Sequence, residues 1–145
     1  VKKDKFAMLN YVVDDGDTPD QVAFNYYDSS SYAWLVLMSN EILDPYFQWP
    51  LSQYNFDQWI KKKYGSIAAA QATNMHCEHK TKNITVSADS LVVSNGVSSN
   101  DYETIDAYNY WDQINNNRKN IKLINKTYLT DINRELKRSL ADNIL

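Results

Sequence analysis

The stretch that most constrains the fold of this chain is residues 10–46, because its residue types follow one another as strand, turn, helix, loop and helix. Residues 11–13 are aromatic or β-branched, which favours a strand. An acidic turn follows, and it contains Gly16, the residue type that adopts positive φ most easily. The start of the stretch therefore predicts a short strand and a tight turn.

A helix is predicted directly after this turn. Thr18 can cap its N-terminus, Pro19 suits the first helical position, where no amide donor is needed, and Gln21 completes a capping box with Thr18. Three apolar residues then recur at helical spacing and define its buried stripe: Val22, Ala23 and Tyr26.

A second helix is predicted from about Ser31. Trp34, Leu37 and Met38 share one face of it, with Leu35 beside them. That face is predicted to pack against the stripe of the first helix, since large apolar side chains are usually buried. The alternative is that Trp34 is exposed to a partner protein.

The order of these elements carries two resemblances to known families. A Tyr-Val-Val strand, a Gly-Asp-Thr-Pro turn and two helices, the second ending in Ser39-Asn40, resemble the LysM module, which has a βααβ fold. Residues 31–40, the Asp-Pro-Tyr sequence at 44–46 and Trp49 are similar to the baseplate wedge proteins of contractile-tailed bacteriophages, the family of the T4 wedge component with a LysM-like core. This second resemblance resumes at residues 117–124 and 128–140, while the middle of the chain is unmatched.

The resemblance to the wedge family implies a structural role. A member would be a subunit of the tail baseplate that bridges neighbouring wedge and tail proteins, in multiple copies of a six-fold assembly. It would lie in the virion tail, be assembled in the host cytoplasm, and have no enzymatic activity and no cofactor. The LysM resemblance implies an alternative, a module that binds peptidoglycan or chitin through Tyr26, Tyr27, Trp34 and the Asp17-Thr18 turn.

Residues 41–50 depart from the LysM pattern. LysM modules carry their second strand here, but this segment lacks the glycine-containing turn that precedes such a strand. Its prolines are predicted to prevent a regular helix and to hold Leu43 and Trp49 in extended conformation. The wedge family has an aromatic loop at this place, so partner recognition is predicted here.

The rest of the chain predicts helices and a small antiparallel β lobe. A helix is predicted over residues 51–64, capped by Ser52 and ended by Gly65, and a shorter helix over 66–73. Residues 102–111 fit either a strand or a helix. Short β-branched runs predict strands at 75–79, 84–88 and 91–94 with a turn at Asn95-Gly96, and an edge strand at 121–124.

The last predicted element is an amphipathic helix whose apolar face consists of Leu129, Ile132, Leu136, Leu140 and Ile144. This narrow stripe docks either on its own domain or on another chain. Together the elements predict an α+β fold in three segments. These are a small βααβ LysM-like core with a flanking helix at residues 1–65, a β-rich insertion at 66–101, and a C-terminal segment with the amphipathic helix at 102–145.

Composition excludes several classes of function. The formal net charge is −3, so charge does not favour nucleic acid or an anionic membrane surface as a partner. No apolar run approaches the about eighteen residues of a membrane helix. The single cysteine, Cys77, cannot form an internal disulfide, and with His76 and His79 it makes too small a set for a zinc site. A hydrolase that uses Glu103 and Asp106 as paired carboxylates is a third, minor hypothesis.

Aromatic content indicates protein interfaces instead. The chain has eleven tyrosines and four tryptophans, more than a core of this size can bury. Aromatic residues are also the types that anchor interfaces. Residues of the aromatic loop, the second helix and the C-terminal region are therefore predicted to contact partners: Trp34, Asp44, Pro45, Tyr46, Phe47, Trp49, Arg118, Ile132, Leu136 and Leu140.

Overall fold

The computed structural model describes residues 7–79, 85–86 and 102–142. Its mixture of helices and short antiparallel strands confirms the predicted α+β class. Single 3₁₀ turns at Ser30–Tyr32 and Lys126–Tyr128 precede the second and the last helix. In chain order the elements are β1 (Met8–Val12), α1 (Pro19–Tyr27), α2 (Ala33–Ser39), α3 (Pro45–Gln48), α4 (Gln53–Tyr64), α5 (Ile67–Gln71), β2 (Asn74–His79), β3 (Thr85–Val86), β4 (Tyr102–Asp106), α6 (Ala107–Arg118), β5 (Asn120–Ile124) and α7 (Leu129–Asp142).

The elements form two compact units. Unit 1 is the described part of Val1–Pro50 together with Arg118–Leu145, and unit 2 is the described part of Leu51–Asn117. These bounds differ from those of the three predicted segments. The difference arises because the buried side chains of α4 pack with those of α5 and α6, so the helix that was predicted to flank the first module belongs to unit 2.

The sheet of unit 1 is an antiparallel ribbon of β1 and β5, in which Asn10 lies opposite Lys122. The order of elements in this unit contains the predicted sequence of strand, helix, helix and strand, and β5 confirms the strand predicted at 121–124. The second strand, however, follows unit 2 in the sequence and does not come from residues 41–50. The LysM resemblance itself stays a prediction.

Residues 45–48 form a short helix, in a segment where the prolines were predicted to prevent a regular helix. Pro45 is the first residue of α3, and the N-cap Asp44 accepts the Tyr46 N–H through Oδ1 at 3.0 Å. The prediction was wrong because proline disrupts a helix interior, whereas at the first position its fixed φ suits the helix and its missing N–H is not needed. Trp49, directly after α3, has the predicted extended conformation.

The start of α1 confirms the capping prediction. Thr18 is the N-cap residue, Pro19 is the first helical residue, and Gln21 Oε1 accepts the Thr18 N–H at 2.9 Å. This contact satisfies one of the backbone groups that a helix start leaves without an intrahelical partner. The buried residues of α1 are Val22, Ala23 and Tyr27.

Tyr27 connects α1 to the ribbon. Its ring is buried, and its hydroxyl donates to the Ile124 carbonyl at 2.8 Å. Burial raises the pKa of Tyr27 to about 12, so the hydroxyl keeps its proton at any ordinary pH. Tyr26, which was predicted in the buried stripe, is only partly buried. The inward face of α1 therefore ends on Tyr27.

The buried face of α2 is not the predicted one. Leu35 and Val36 are fully buried, whereas Trp34 is 37% and Met38 58% exposed. The prediction was wrong because both sides of this short helix carry apolar residues, so the spacing of Trp34, Leu37 and Met38 does not decide which side is buried. Leu35 and Val36 are the residues that pack into the core of unit 1.

The core of unit 1 joins the ribbon to α1 and α2. Leu123 of β5 and Val22 of α1 have no exposed surface. Burial of such a side chain stabilises the fold by roughly 1.5–3 kcal/mol relative to exposure, so this cluster is the main source of the stability of the unit. Its buried members are Val13, Val22, Ala23, Tyr27, Leu35, Val36, Trp49, Ile121, Leu123 and Ile124.

Unit 2 has its own core, built on α4. The helix begins as predicted, because Ser52 Oγ accepts the Asn55 N–H at 3.3 Å, and it ends at Gly65, whose φ of 88° favours glycine. Its buried side chains, Phe56 and Ile60, pack with Ala70 of α5 and Ala107 of α6. Among the described helices, none combines the length and the apolar character that crossing a membrane requires.

The predicted β lobe is the three-stranded antiparallel sheet of unit 2, in the order β3-β2-β4. Strand β2 confirms the strand predicted at 75–79, and β3 falls within the one predicted at 84–88. Residues 102–111, which fitted either type of element, contain both, because β4 ends at Asp106 and α6 begins at the next residue. The strand predicted at 91–94 and the Asn95-Gly96 turn lie outside the described residues.

Candidate interaction surface

Residues 43–48 form an exposed apolar projection, which we name the aromatic knuckle. Leu43 is 93%, Tyr46 83% and Phe47 69% exposed. The rings of Tyr46 and Phe47 meet edge to face, with their centroids 5.1 Å apart. Large apolar side chains that lie together on a surface characterise sites of protein contact.

Polar contacts fix the backbone of the aromatic knuckle. Gln48 Oε1 accepts two backbone N–H groups, from Leu43 at 2.9 Å and from Asp44 at 3.0 Å. Arg118, at the end of α6, donates through Nη1 to the Phe47 carbonyl at 3.0 Å. The backbone that carries these apolar side chains is thus fixed by Gln48, inside the knuckle, and by Arg118, which is distant in the sequence.

Trp49 anchors the aromatic knuckle to the core. Its side chain is 8% exposed, and its indole N–H donates to the Asp17 carbonyl at 2.7 Å. Trp49 was predicted to contact a partner, but its surface is already used within the chain. The sequence could not separate it from Tyr46, because both aromatic residues flank the same short proline-containing segment.

A second exposed apolar surface lies on α7. Ile132 packs partly against the core of unit 1, and Asn133 Nδ2 donates to the Tyr32 hydroxyl at 2.8 Å. Beyond this contact Leu136 is 42% and Leu140 56% exposed. We name these two leucines the terminal stripe. The first turns of this helix dock on their own unit, which is one of the two predicted alternatives. Docking of its later turns on another chain stays a prediction.

The other predicted contact residues divide between exposed and structural positions. Asp44 and Pro45 are exposed, and both define the start of α3. Arg118 is exposed as well, yet its guanidinium holds the knuckle backbone. Trp34 is half exposed on α2. Leu43, which is highly exposed beside these residues, was not among the predicted contact residues.

Tyr26 and Tyr27, two residues of the glycan-binding alternative, are not arranged for stacking on a sugar. Tyr27 is 4% exposed, and its hydroxyl is bound to Ile124. Tyr26 packs edge to face on Tyr27 with its ring centroid 4.7 Å away. No open aromatic platform therefore exists at this pair.

The candidates for chemistry are engaged in structural contacts. Cys77 is buried, with Sγ 3.6 Å from Thr104 Oγ1, and His76 Nε2 lies 2.9 Å from Glu78 Oε1. Within the described residues, no three His, Cys, Asp or Glu side chains are grouped to hold a metal ion. Asp106, half of the proposed carboxylate pair, accepts the Asn109 N–H at 2.9 Å at the start of α6.

Unit 2 also carries an open depression of about 300 Å³ on one side of α6. Its lining is dominated by side-chain amides and contains one ionisable group, Asp112. Such a lining offers hydrogen bonds and one carboxylate, with no hydroxyl, thiol or imidazole group that it could activate. The residues are Ile105, Asn109, Asp112, Gln113, Asn116 and Asn117.

Comparison with known families identifies the family of the chain. The family model described as base plate wedge protein 53 matches residues 3–122, which is most of the chain and includes the aromatic knuckle. This chain belongs to the base plate wedge protein 53 family. Its role is therefore structural, in the tail baseplate of a bacteriophage, as the sequence predicted. No curated protein sequence matches the chain significantly.

Membership of the wedge family implies that the protein interacts with other baseplate and tail proteins. The matched region contains both strands of the ribbon up to Lys122, and it ends before α7. The family match therefore bears on the aromatic knuckle and not on the terminal stripe.

Proposed function

We propose that this wedge-family protein bridges neighbouring baseplate subunits. The aromatic knuckle is the main contact and the terminal stripe on α7 is the second. The observation that carries the proposal is the combination of full exposure at Leu43, Tyr46 and Phe47 with a backbone fixed by Gln48 and Arg118. The protein acts through buried interface area, without a catalytic step.

A fixed aromatic cluster is well suited to binding. Aromatic side chains bury large apolar areas and dominate the energetics of many interfaces. Because the polar contacts already order the knuckle backbone, little conformational entropy is lost when a partner covers it. A partner that covers these side chains therefore binds with a more favourable free energy than it would if the same residues lay on an unsupported loop.

Two contact surfaces on one compact unit are what a bridging subunit needs. The aromatic knuckle and the terminal stripe both belong to unit 1, but they lie on different elements and share no side chain. Each can hold a different neighbour among the wedge and tail proteins. Multiple copies in a six-fold baseplate, assembled in the host cytoplasm, complete the proposed role.

The test compares Tyr46→Ala/Phe47→Ala with a control variant, Tyr54→Ala, in assembled phage. Tyr54 is 71% exposed on α4, so it matches the knuckle aromatics in type and exposure but lies in unit 2. We expect the knuckle variant to fold normally by circular dichroism and to be depleted from baseplates purified by sedimentation. The control should enter baseplates at the normal level.

Equal incorporation of the two variants would contradict the role of the aromatic knuckle. A bridge also predicts a partial result. The knuckle variant should still associate with one neighbour, and adding Leu136→Ser/Leu140→Ser should remove that remaining association. Complete loss of every contact in the knuckle variant alone would show a single interface and no bridge.

A further inference from the structure

The two edges of the ribbon in unit 1 differ in whether their outward backbone groups are hydrogen-bonded. The outer edge of β5 is blocked by side chains: Asn40 Nδ2 donates to the Lys122 carbonyl at 2.8 Å, and Asn40 Oδ1 accepts the Lys122 N–H at 2.7 Å. Tyr27 adds a hydrogen bond from its hydroxyl to the Ile124 carbonyl. An amide side chain thus occupies the place that a third strand would take.

No described strand or loop hydrogen-bonds to the outer edge of β1. Val13 donates its N–H to Lys119 and Asn125 donates to Ala7, so these residues form hydrogen-bonded pairs at the two ends of the ribbon. In an antiparallel ladder such pairs alternate with non-bonded ones. The backbone groups of Met8, Asn10 and Val12 therefore point away from β5. Within residues 7–79, 85–86 and 102–142, none of these groups has a partner.

Exposed strand edges are usually protected, because a free row of N–H and C=O groups pairs with other chains. The sequence of β1, Met-Leu-Asn-Tyr-Val, contains no lysine and no proline, and its pairing with β5 is regular. Two apolar side chains accompany the free groups, with Met8 39% and Val12 62% exposed. The β1 edge thus has the features of a pairing site and lacks the usual protection.

We propose that β1 pairs antiparallel with β1 of a second copy of this chain, across a two-fold axis at Asn10. The ribbon would then become a continuous four-stranded sheet, β5-β1 joined to β1-β5 of the second copy. This self-association goes beyond the bridging role and does not depend on the aromatic knuckle.

The pattern of β1 favours a second copy over an unrelated strand. Only the outward residues can exchange backbone hydrogen bonds, and centring the pair on Asn10 uses all of them. Met8 then lies opposite Val12 of the second copy, and Val12 opposite its Met8, so the exposed apolar side chains cover one another. The outward residues follow the order apolar, polar, apolar, which is symmetric about Asn10, so two antiparallel copies of β1 match each other.

The first test uses Asn10→Asp. Asn10 is exposed and lies opposite Lys122 of its own chain, so the introduced carboxylate suits the single subunit. In the proposed dimer it lies opposite the same carboxylate of the second copy, which is destabilising. We expect wild-type protein to show a concentration-dependent dimer in light scattering, and the variant to dimerise about fivefold or more weakly. Asn10→Ser, which adds no charge, should dimerise as the wild type does.

The second test locates the axis by cysteine cross-linking. In a hydrogen-bonded antiparallel pair the two Cα atoms are about 5.5 Å apart, which is within disulfide reach. Asn10→Cys should therefore form a disulfide-linked dimer under mild oxidation. Val12→Cys should not, because the two introduced thiols would be separated by four residues along the strands, roughly 13 Å. The native Cys77 is buried and serves as the shared background.

Three results would overturn the proposal. The first is a wild-type chain that stays monomeric at every concentration. The second is a dimer that Asn10→Asp leaves unchanged, or that Val12→Cys cross-links as efficiently as Asn10→Cys. The third is a monomeric chain whose Asn10→Asp variant fails to join other tail proteins, which would assign the β1 edge to a strand of a different protein. A dimer that survives Tyr46→Ala/Phe47→Ala separates this proposal from the bridging role.

Discussion

The aromatic knuckle and the terminal stripe expose similar side chains on very different supports. The knuckle is a four-residue helix with its flanks. Gln48 Oε1 accepts hydrogen bonds from its backbone and Arg118 donates one to it, while Trp49, directly after it, donates to the Asp17 carbonyl. The terminal stripe lies on the far part of a longer helix that is attached to unit 1 near its start, through Ile132 and Asn133. Exposure alone therefore does not distinguish them.

The difference in support predicts a difference in binding behaviour. A preorganised surface binds with little loss of conformational entropy, whereas a helix end without tertiary contacts must be ordered by its partner. The knuckle is suited to one fixed geometry, and the terminal stripe can adapt to the position of a neighbour. In the proposed bridge, the aromatic knuckle would set a fixed geometry with one neighbour, and the terminal stripe would adjust to the position of the other.

The largest expected effect tests the anchor of the knuckle. Trp49→Ala should lower the free energy of unfolding by about 3–5 kcal/mol, because it leaves a cavity in the core of unit 1 and frees the Asp17 carbonyl. Trp34→Ala, at a half-exposed tryptophan of the same unit, is the control and should cost much less. Urea unfolding followed by circular dichroism measures both. Similar losses for the two variants would mean that Trp49 does not anchor the knuckle.

An intermediate effect tests where the support of α7 ends. Ile132→Ala should destabilise unit 1 by about 1–2 kcal/mol, since this side chain packs only partly against the core. Leu140→Ala should change the stability by less than about 0.5 kcal/mol, because no described part of the chain covers that residue. Thermal unfolding of the two variants gives the comparison. A large effect at Leu140 would show that the stripe is already docked.

The smallest expected effect tests the rigidity of the knuckle itself. Gln48→Ala removes the acceptor for two backbone N–H groups, so hydrogen exchange at Leu43 and Asp44 should accelerate roughly fivefold, corresponding to about 1 kcal/mol. Gln48→Glu keeps an acceptor oxygen and should preserve most of the protection. Unchanged exchange in Gln48→Ala would remove the contrast between a fixed knuckle and an adjustable helix.

Local signals in the sequence predicted much of this fold. The caps at Thr18, Ser52 and Gly65 lie within a few residues of the groups they satisfy, so residue types alone identify them. The same rule explains the missed helix α3. Asp44-Pro45 is the same kind of start as Thr18-Pro19, and the presence of a second proline in the segment obscured it.

Contacts between distant residues could not be predicted in this way. The partner of β1 lies more than one hundred residues away in the sequence, and no local pattern names it. The Ser39-Asn40 pair carried the family resemblance without an evident reason. The structure supplies one, because the Asn40 side chain binds both backbone groups of Lys122.

The predicted contact residues differ in exposure, and the sequence did not indicate this difference. Tyr46 and Phe47 are exposed, while Trp49 is buried, although all three are aromatic neighbours. Whether an aromatic residue faces inward depends on the local backbone geometry. That geometry includes the helix α3, which was not predicted, so the burial of Trp49 could not be predicted either.

The insertion of unit 2 between the two strands of the ribbon sets an order of events during synthesis. The whole of Leu51–Asn117 is synthesised before β5, so all residues of unit 2 have been made while β1 still lacks its partner. Until β5 is made, the apolar sides of α1 and α2 have no complete ribbon to cover them. Unit 1, although it begins first, therefore completes its core last, and its surfaces that would contact other subunits are presented only on the finished protein.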